Sequence, residues 1–201
     1  PASSLEQMVG LTEVEVMYSR PSMRGRAIFG DLVPYGALWR TGANQNTMVS
    51  FSDAVTIGGT SLEAGTYAIF TKPGANQWEV FFYTDTNNWG TPANWDESLV
   101  AASVTIPVLN IESPVETFTI TIDDLHNNGA TLGMMWENTY VGVPFYVPTQ
   151  EKAMKSIEAV MSGPSGNDYY AAASYYYEEG QDLEKAKSWI DKAVEANPDA
   201  Y

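Results

Sequence analysis

The sequence predicts a mainly β protein: an antiparallel, jelly-roll-like sandwich of about eight or nine strands, followed by an α-helical appendage. Three observations predict it. Up to about Pro148, apolar and polar residues alternate in short runs, the two-residue period of half-buried strands. Gly, Pro and Asn break those runs at hairpin spacing. No stretch before residue 149 has the length and periodicity of a helical crossover, which a parallel sheet would require. Beyond Pro148 helix formers take over. The expected division is therefore a sandwich domain at 1–148 and a helical appendage at 149–201.

Val14, Val16 and Tyr18 share one face of the first predicted strand, with Glu13, Glu15 and Met17 on the other. A second strand is expected over 47–51. A third, 54–57, runs into Gly58-Gly59, a pair that supplies the positive φ of a tight hairpin. Strands over 67–71 and 78–83 flank Pro73-Gly74, a strong turn signal. Segments 99–106, 117–122, 131–136 and 140–147 complete the set.

Three helices are expected after the sandwich. Over 149–161, Ala153, Ile157, Val160 and Met161 form one stripe, with Gly163-Pro164 as the stop. Helices over 169–179 and 183–196 would form a hairpin around Gly180-Gln181-Asp182, with Asp182 as N-cap. Ala173, Tyr177, Ala186, Ile190 and Ala193 would meet between them, because small residues let the backbones approach. Tyr170, Tyr177, Ala186, Ile190, Ala193 and Pro198 stand at spacings similar to one tetratricopeptide repeat. A lone repeat leaves a face uncovered. The hairpin is thus expected to pack on the sandwich, to start an array, or to recruit a protein partner, with exposed phenols of Tyr169, Tyr170 and Tyr175–Tyr177 as a contact surface.

Composition removes several classes of function. There is no cysteine, so disulfides, thiol catalysis, iron–sulfur clusters and cysteine-ligated zinc are excluded. His126 is the one histidine, so polyhistidine zinc sites are excluded too. A net charge of −15 repels nucleic acid, and both parts of the chain are acidic. No apolar run is long enough to span a bilayer. No phosphate loop, dinucleotide fingerprint or nucleophile elbow occurs. Asp85–Asp96 echoes a calcium loop but carries Trp89 where an oxygen ligand belongs, so Asx turns are the expected account. No metal or cofactor is expected.

The four arginines, Arg20, Arg24, Arg26 and Arg40, fall in one 21-residue stretch, and Lys72 is the only other basic residue before 152. Guanidinium presents a rigid fork of donors that suits carboxylate, phosphate or sulfate. Pairing with Glu13, Glu15, Asp31 or Glu137 would instead make the cluster structural. Around Arg40, Trp39-Arg40-Thr41-Gly42-Ala43-Asn44 brings an indole, a donor fork, a hydroxyl and an amide together. An extended backbone at Arg40 would send Trp39 and Thr41 to the opposite side.

Tyr18-Ser19-Arg20-Pro21, Gly25-Arg26, Ile28-Phe29-Gly30, Leu32-Val33-Pro34-Tyr35-Gly36 and Trp39-Arg40-Thr41-Gly42-Ala43-Asn44 together resemble domain of unknown function 2911, an uncharacterised bacterial family. Ile57-Gly58-Gly59, Leu62–Tyr67, Trp89-Gly90 and Trp136-Glu137-Asn138 extend the resemblance over about 14–145. It implies an exported protein of Bacteroidetes-type bacteria, periplasmic, surface-held or secreted, and no established activity. Gln45 stands where an acidic residue is common in the family, which removes one candidate general base. Pro1 in place of methionine is expected to reflect processing or trimming.

The expected function is a non-catalytic binding or accessory module. Its site would comprise Arg20, Arg26, Trp39, Arg40, Thr41 and Asn44, with Trp136 and Glu137 as neighbours. A small anion or an oxygen-rich, sugar-like molecule would be the ligand. Two alternatives stand beside it. One is a hydrolase using Glu137 or Asp123 with His126. The other is a scaffold whose arginines lock strands together while its helices recruit partners.

Overall fold

The computed structural model describes residues 1–200. It divides into two compact units, Pro1–Gln150 and 151–201. Ten strands build the first: β1 (Ala2–Val9), β2 (Thr12–Ser19), β3 (Thr47–Phe51), β4 (Val55–Ile57), β5 (Thr60–Leu62), β6 (Gly65–Pro73), β7 (Gln77–Tyr83), β8 (Val100–Pro107), β9 (Leu109–His126) and β10 (Gly129–Tyr146). They form two antiparallel sheets, ordered β1-β2-β3-β6-β7-β8 and β5-β4-β10-β9. Alternation decides what faces inward. Val14, Val16, Val49, Val80 and Phe82 from the larger sheet merge with Ile120, Leu132, Val141, Val143 and Phe145 from the smaller into one core.

Two strands break the alternation. Tyr67-Ala68-Ile69-Phe70 and Val80-Phe81-Phe82-Tyr83 are buried without interruption. The reason is a second, smaller core on the outer face of β6 and β7. There Ala68, Phe70, Phe81 and Tyr83 pack against Leu38, Trp95, Leu99 and Val100. The connection between β7 and β8 therefore covers the sheet, and a continuous apolar run is its signature. Gly58-Gly59 forms the expected hairpin between β4 and β5, both residues at positive φ.

β10 is continuous as a strand yet doubles back on itself. Thr131 lies against Gly142, and Gly133 against Tyr140. A straight strand, rising about 3.3 Å per residue, would hold such pairs more than about 20 Å apart. The reversal falls at Trp136-Glu137-Asn138, where Glu137 takes φ +57°. The two arms are the strands expected over 131–136 and 140–147. β9 wraps around this corner: Val115 pairs with Glu137 and Asn110 with Thr139, with register shifts on either side. Asn138 Nδ2 fastens the bend by donating to the carbonyls of Ile111 at 2.8 Å and Glu112 at 3.4 Å.

The second unit carries α1 (Thr149–Met161), α2 (Gly166–Glu178) and α3 (Leu183–Ala196), the first helix starting just inside the first unit. For the expected stripe on α1, the side chains of Ile157, Val160 and Met161 lie outside the described residues. α2 starts three residues earlier than expected because Ser165 and Asp168 close a capping box. Asp182 caps α3 as expected, accepting from the Lys185 amide at 3.1 Å. Ala173, Ala186 and Ala193 are buried between α2 and α3. Tyr177 is not; it is 74% exposed. Tyr176 makes the interhelical aromatic contact instead, edge-on to Trp189 at 4.8 Å. Among the described residues no helix is long and apolar enough to cross a membrane.

Candidate functional site

Residues 20–46 connect β2 to β3 without joining a full strand, and they hold every arginine of the chain. Single rungs of hydrogen bonding fix their course. Met23 donates to the Glu116 carbonyl and Phe118 to that of Pro21, so the start of the segment lies along the free edge of β9. Trp39 exchanges both backbone bonds with Thr71, at 2.7 and 2.9 Å, and continues the place of β3 beside β6. The segment thereby ties the two sheets at one end of the sandwich.

Beneath it lies an aromatic cluster. Trp39 stacks near-parallel to Trp136, with centroids 6.1 Å apart and planes at 17°, and meets Phe118 edge-on at 5.2 Å. Phe29 and Trp78 adjoin them at 4.9 Å from each other. Each such pair contributes about 0.5–1.5 kcal/mol beyond its area burial. Both central indoles have their donors engaged by protein carbonyls. Trp39 Nε1 bonds Gly42 and Trp136 Nε1 bonds Glu116, each at 3.1 Å.

The arginines divide sharply. Arg20 is tied to β9 through two donors: Nε to the Phe118 carbonyl at 3.1 Å and Nη2 to Thr119 Oγ1 at 2.8 Å. Arg26 is exposed and turns back on its own loop, donating to the carbonyls of Met23 at 2.9 Å and Ser22 at 2.7 Å. Arg24 is exposed, and its amide binds Glu116 Oε1 at 2.9 Å. Arg40 is half-buried, and its buried Nε has no acceptor. Among the described residues no guanidinium has a carboxylate partner. Two of the four carboxylates expected as partners are used elsewhere: Glu15 accepts from Ser4, and Glu137 accepts from the amides of Ile28 and Phe29, both at 3.4 Å.

A cavity of about 360 Å³ opens beside Arg40. It gathers four of the eight sequence-predicted site residues: Arg26, Trp39, Arg40 and Trp136. Leu32, Val33, Pro34 and Leu38 form its apolar wall, and Gly42, Ala43 and Thr91 part of its rim. The other four predicted residues do not line it. Arg20 is spent on β9. Asn44 is exposed and makes a long contact of 3.5 Å to Ser19. Glu137 holds the 28–29 loop.

Thr41 is fully buried at φ +54°, a rare conformation for a β-branched residue. Its hydroxyl bonds that of Thr71 at 3.2 Å, and its carbonyl accepts from Thr47 Oγ1. It therefore braces the turn that sets Trp39 and Arg40 rather than facing the cavity. Gly42, at φ +153°, follows it where a Cβ would come within 3.0 Å of the Ser19 carbonyl.

Sequence reasoning missed the cavity's contribution from the β7–β8 connection. Gly90 is buried at φ +103°, and a Cβ there would stand 2.9 Å from Arg40 Nη1. The sequence signal is the glycine of Trp89-Gly90, which makes the approach that the indole does not. Trp89 itself is 82% exposed. In the same connection Asp85 accepts from the Asn87 amide and Asp96 from the Ser98 amide and hydroxyl. The bonds from Ser98 lower the proton affinity of Asp96.

Acid–base residues do not converge. His126 sits at the exposed tip of the β9–β10 hairpin, where Nδ1 accepts from the Asn128 amide at 3.3 Å. Glu137 lies eight residues along β10 from Gly129, the partner of His126, which is about 25 Å of extended chain. Asp123 belongs to another group, accepting from Thr121 Oγ1 at 2.7 Å and the Tyr140 phenol at 2.9 Å. Burial and then the adjacent Asp123 raise the Tyr140 pKa far above the usual phenol range. Gly133 and Gly142 leave the space in which that ring lies. The group fastens three adjoining stretches of β9 and β10.

The model of the family described as Protein of unknown function (DUF2911) matches residues 1–145. The chain belongs to that family. The DUF2911 match takes in both sheets, the whole arginine segment and every residue that lines the cavity, and ends before α1. No curated protein and no solved structure matches the chain.

Proposed function

We propose that the DUF2911 unit is a non-catalytic binding module whose ligand is a small anion held by Arg40 and Arg26. One observation carries the reading: the Arg40 guanidinium borders a cavity with no partner of its own, and its Nε is sealed from water without an acceptor. An unmatched buried donor costs about 1–3 kcal/mol, more when charged. Oxygens brought by a ligand would engage the guanidinium N–H groups on the cavity side, giving Arg40 the partners that the protein does not supply.

The polarity of the lining favours an anion over a sugar. Side chains around the cavity include no Asp, Glu, Asn, Gln or His, so Thr91 is the sole side-chain hydroxyl or carbonyl acceptor there. Sugar hydroxyls must donate as well as accept. A carboxylate, phosphate or sulfate needs donors alone. The chain's net charge of −15 disfavours anions over the molecule as a whole, so a local positive site stands out against that field. The family resemblance supports an exported setting, in the periplasm, at the surface or outside the cell.

The test is a thermal-shift panel of carboxylates, phosphates and neutral sugars on the full chain and on Arg40→Ala. Carboxylates or phosphates are expected to raise Tm in the parent chain and not in the variant. Equal shifts in both proteins would remove Arg40 from the site and the reading with it.

A further inference from the structure

Resting on that reading, we infer that the ligand is an organic carboxylate with a flat apolar body, of about the size of a substituted benzoate. The cavity holds about 360 Å³, within the range of about 300–1,000 Å³ that accommodates organic ligands. At about 30 Å³ per water it has room for roughly ten waters. A tetrahedral inorganic anion has five heavy atoms and would leave most of that space wet.

The lining is two-faced. Arg26 and Arg40 supply the positive end, while Leu32, Val33, Pro34 and Leu38 supply an apolar wall. Water against that wall gains few hydrogen bonds, so an apolar body that displaces it adds affinity at about 25 cal/mol per Å² buried. Half-buried Trp39 offers aromatic surface with its N–H already satisfied by Gly42, and Trp136, 1% exposed, backs it from beneath with its N–H held by Glu116. They therefore ask nothing polar of the ligand. Gly42 and Ala43 add no side chain larger than a methyl, which lets a ring lie close to the backbone.

Donor counting fixes the headgroup. Arg26 has Nε and Nη2 engaged by Met23 and Ser22, whereas Arg40 has no side-chain bond at all. A planar carboxylate matches one free fork in bidentate fashion. Gly90 is the device that leaves this fork room, because any larger residue would press on Nη1.

Calorimetric titration of the full chain with benzoate, benzamide, acetate and inorganic phosphate tests the inference. Arg40→Ala, Arg40→Gln and Leu32→Ala serve as variants, their folding checked by circular dichroism. Benzoate is expected to bind at least tenfold more tightly than the other three. Both Arg40 variants should lose it, and Leu32→Ala should weaken benzoate severalfold while leaving acetate unchanged. If acetate or phosphate matches benzoate and all depend on Arg40, the apolar body is wrong while the anion site stands. If no anion binds, or binding is indifferent to both Arg40 variants, the anion site itself falls. Benzamide binding as tightly as benzoate would also overturn both, since the charge would then play no part.

Discussion

Arg20 and Arg40 stand in one short segment and carry the same side chain, yet the fold treats them oppositely. Arg20 reaches across to β9 and has its donors taken by Phe118 and Thr119. Arg40 is turned toward the β7–β8 connection and has no acceptor. A guanidinium bonded across to a neighbouring strand is a fastening. One beside a cavity without an acceptor for its Nε is not. The difference shows that clustered arginines do not form one functional unit by proximity in sequence; the partners that each finds across the sandwich decide its role.

The aromatic cluster beneath the segment gives the largest expected effect. Trp136 is 1% exposed and stacked on Trp39, so Trp136→Ala should destabilise the sandwich by about 3–5 kcal/mol in urea unfolding. A loss below about 1 kcal/mol would mean the cluster does not organise this end. Next comes Arg20→Ala, which strands the Phe118 carbonyl and Thr119 hydroxyl and should cost about 1–3 kcal/mol. Arg20→Lys should recover little, since an ammonium cannot reproduce the fork.

Gly90→Ala sharpens the contrast from the other side. It forces a Cβ to within 2.9 Å of Arg40 Nη1 at a strained φ, costing about 1–3 kcal/mol. Anion affinity should fall although every charge is kept. Smallest in stability is Arg40→Ala, expected to leave the unliganded Tm unchanged or slightly raised because an unpaired half-buried charge is removed. A drop as large as that of Arg20→Ala would erase the distinction between the two arginines.

Much of the sandwich is readable from residue pattern. The alternation of Val14, Val16 and Tyr18, the Gly58-Gly59 hairpin and the break at Trp136-Glu137-Asn138 are local properties, and local physics writes them. β1 is not readable, because Ser3, Leu5 and Gln7 on its inward side are only half-buried at a sheet edge and carry no strong apolar signal. β5 has three residues, too few to show a period. At the site, the sequence reveals that arginines and tryptophans are gathered. It cannot reveal which guanidinium is already bonded, since Arg20 finds its acceptors 98 and 99 positions later. Nor does Thr41 announce a left-handed backbone, as glycine or asparagine would; a hydroxyl contact with Thr71 holds it there.

Pairing between Ser22 and Thr117 joins positions 95 apart, and the bond from Arg20 to Thr119 joins positions 99 apart. Closures of that span are slow, because a long loop must lose its freedom before any contact rewards it. A chain emerging from its N-terminal end therefore completes β2 long before the arginines have anything to lean on. The cavity beside Arg40 is consequently assembled late, and a chain halted before residue 119 holds the arginines while still lacking Trp136 from the lining.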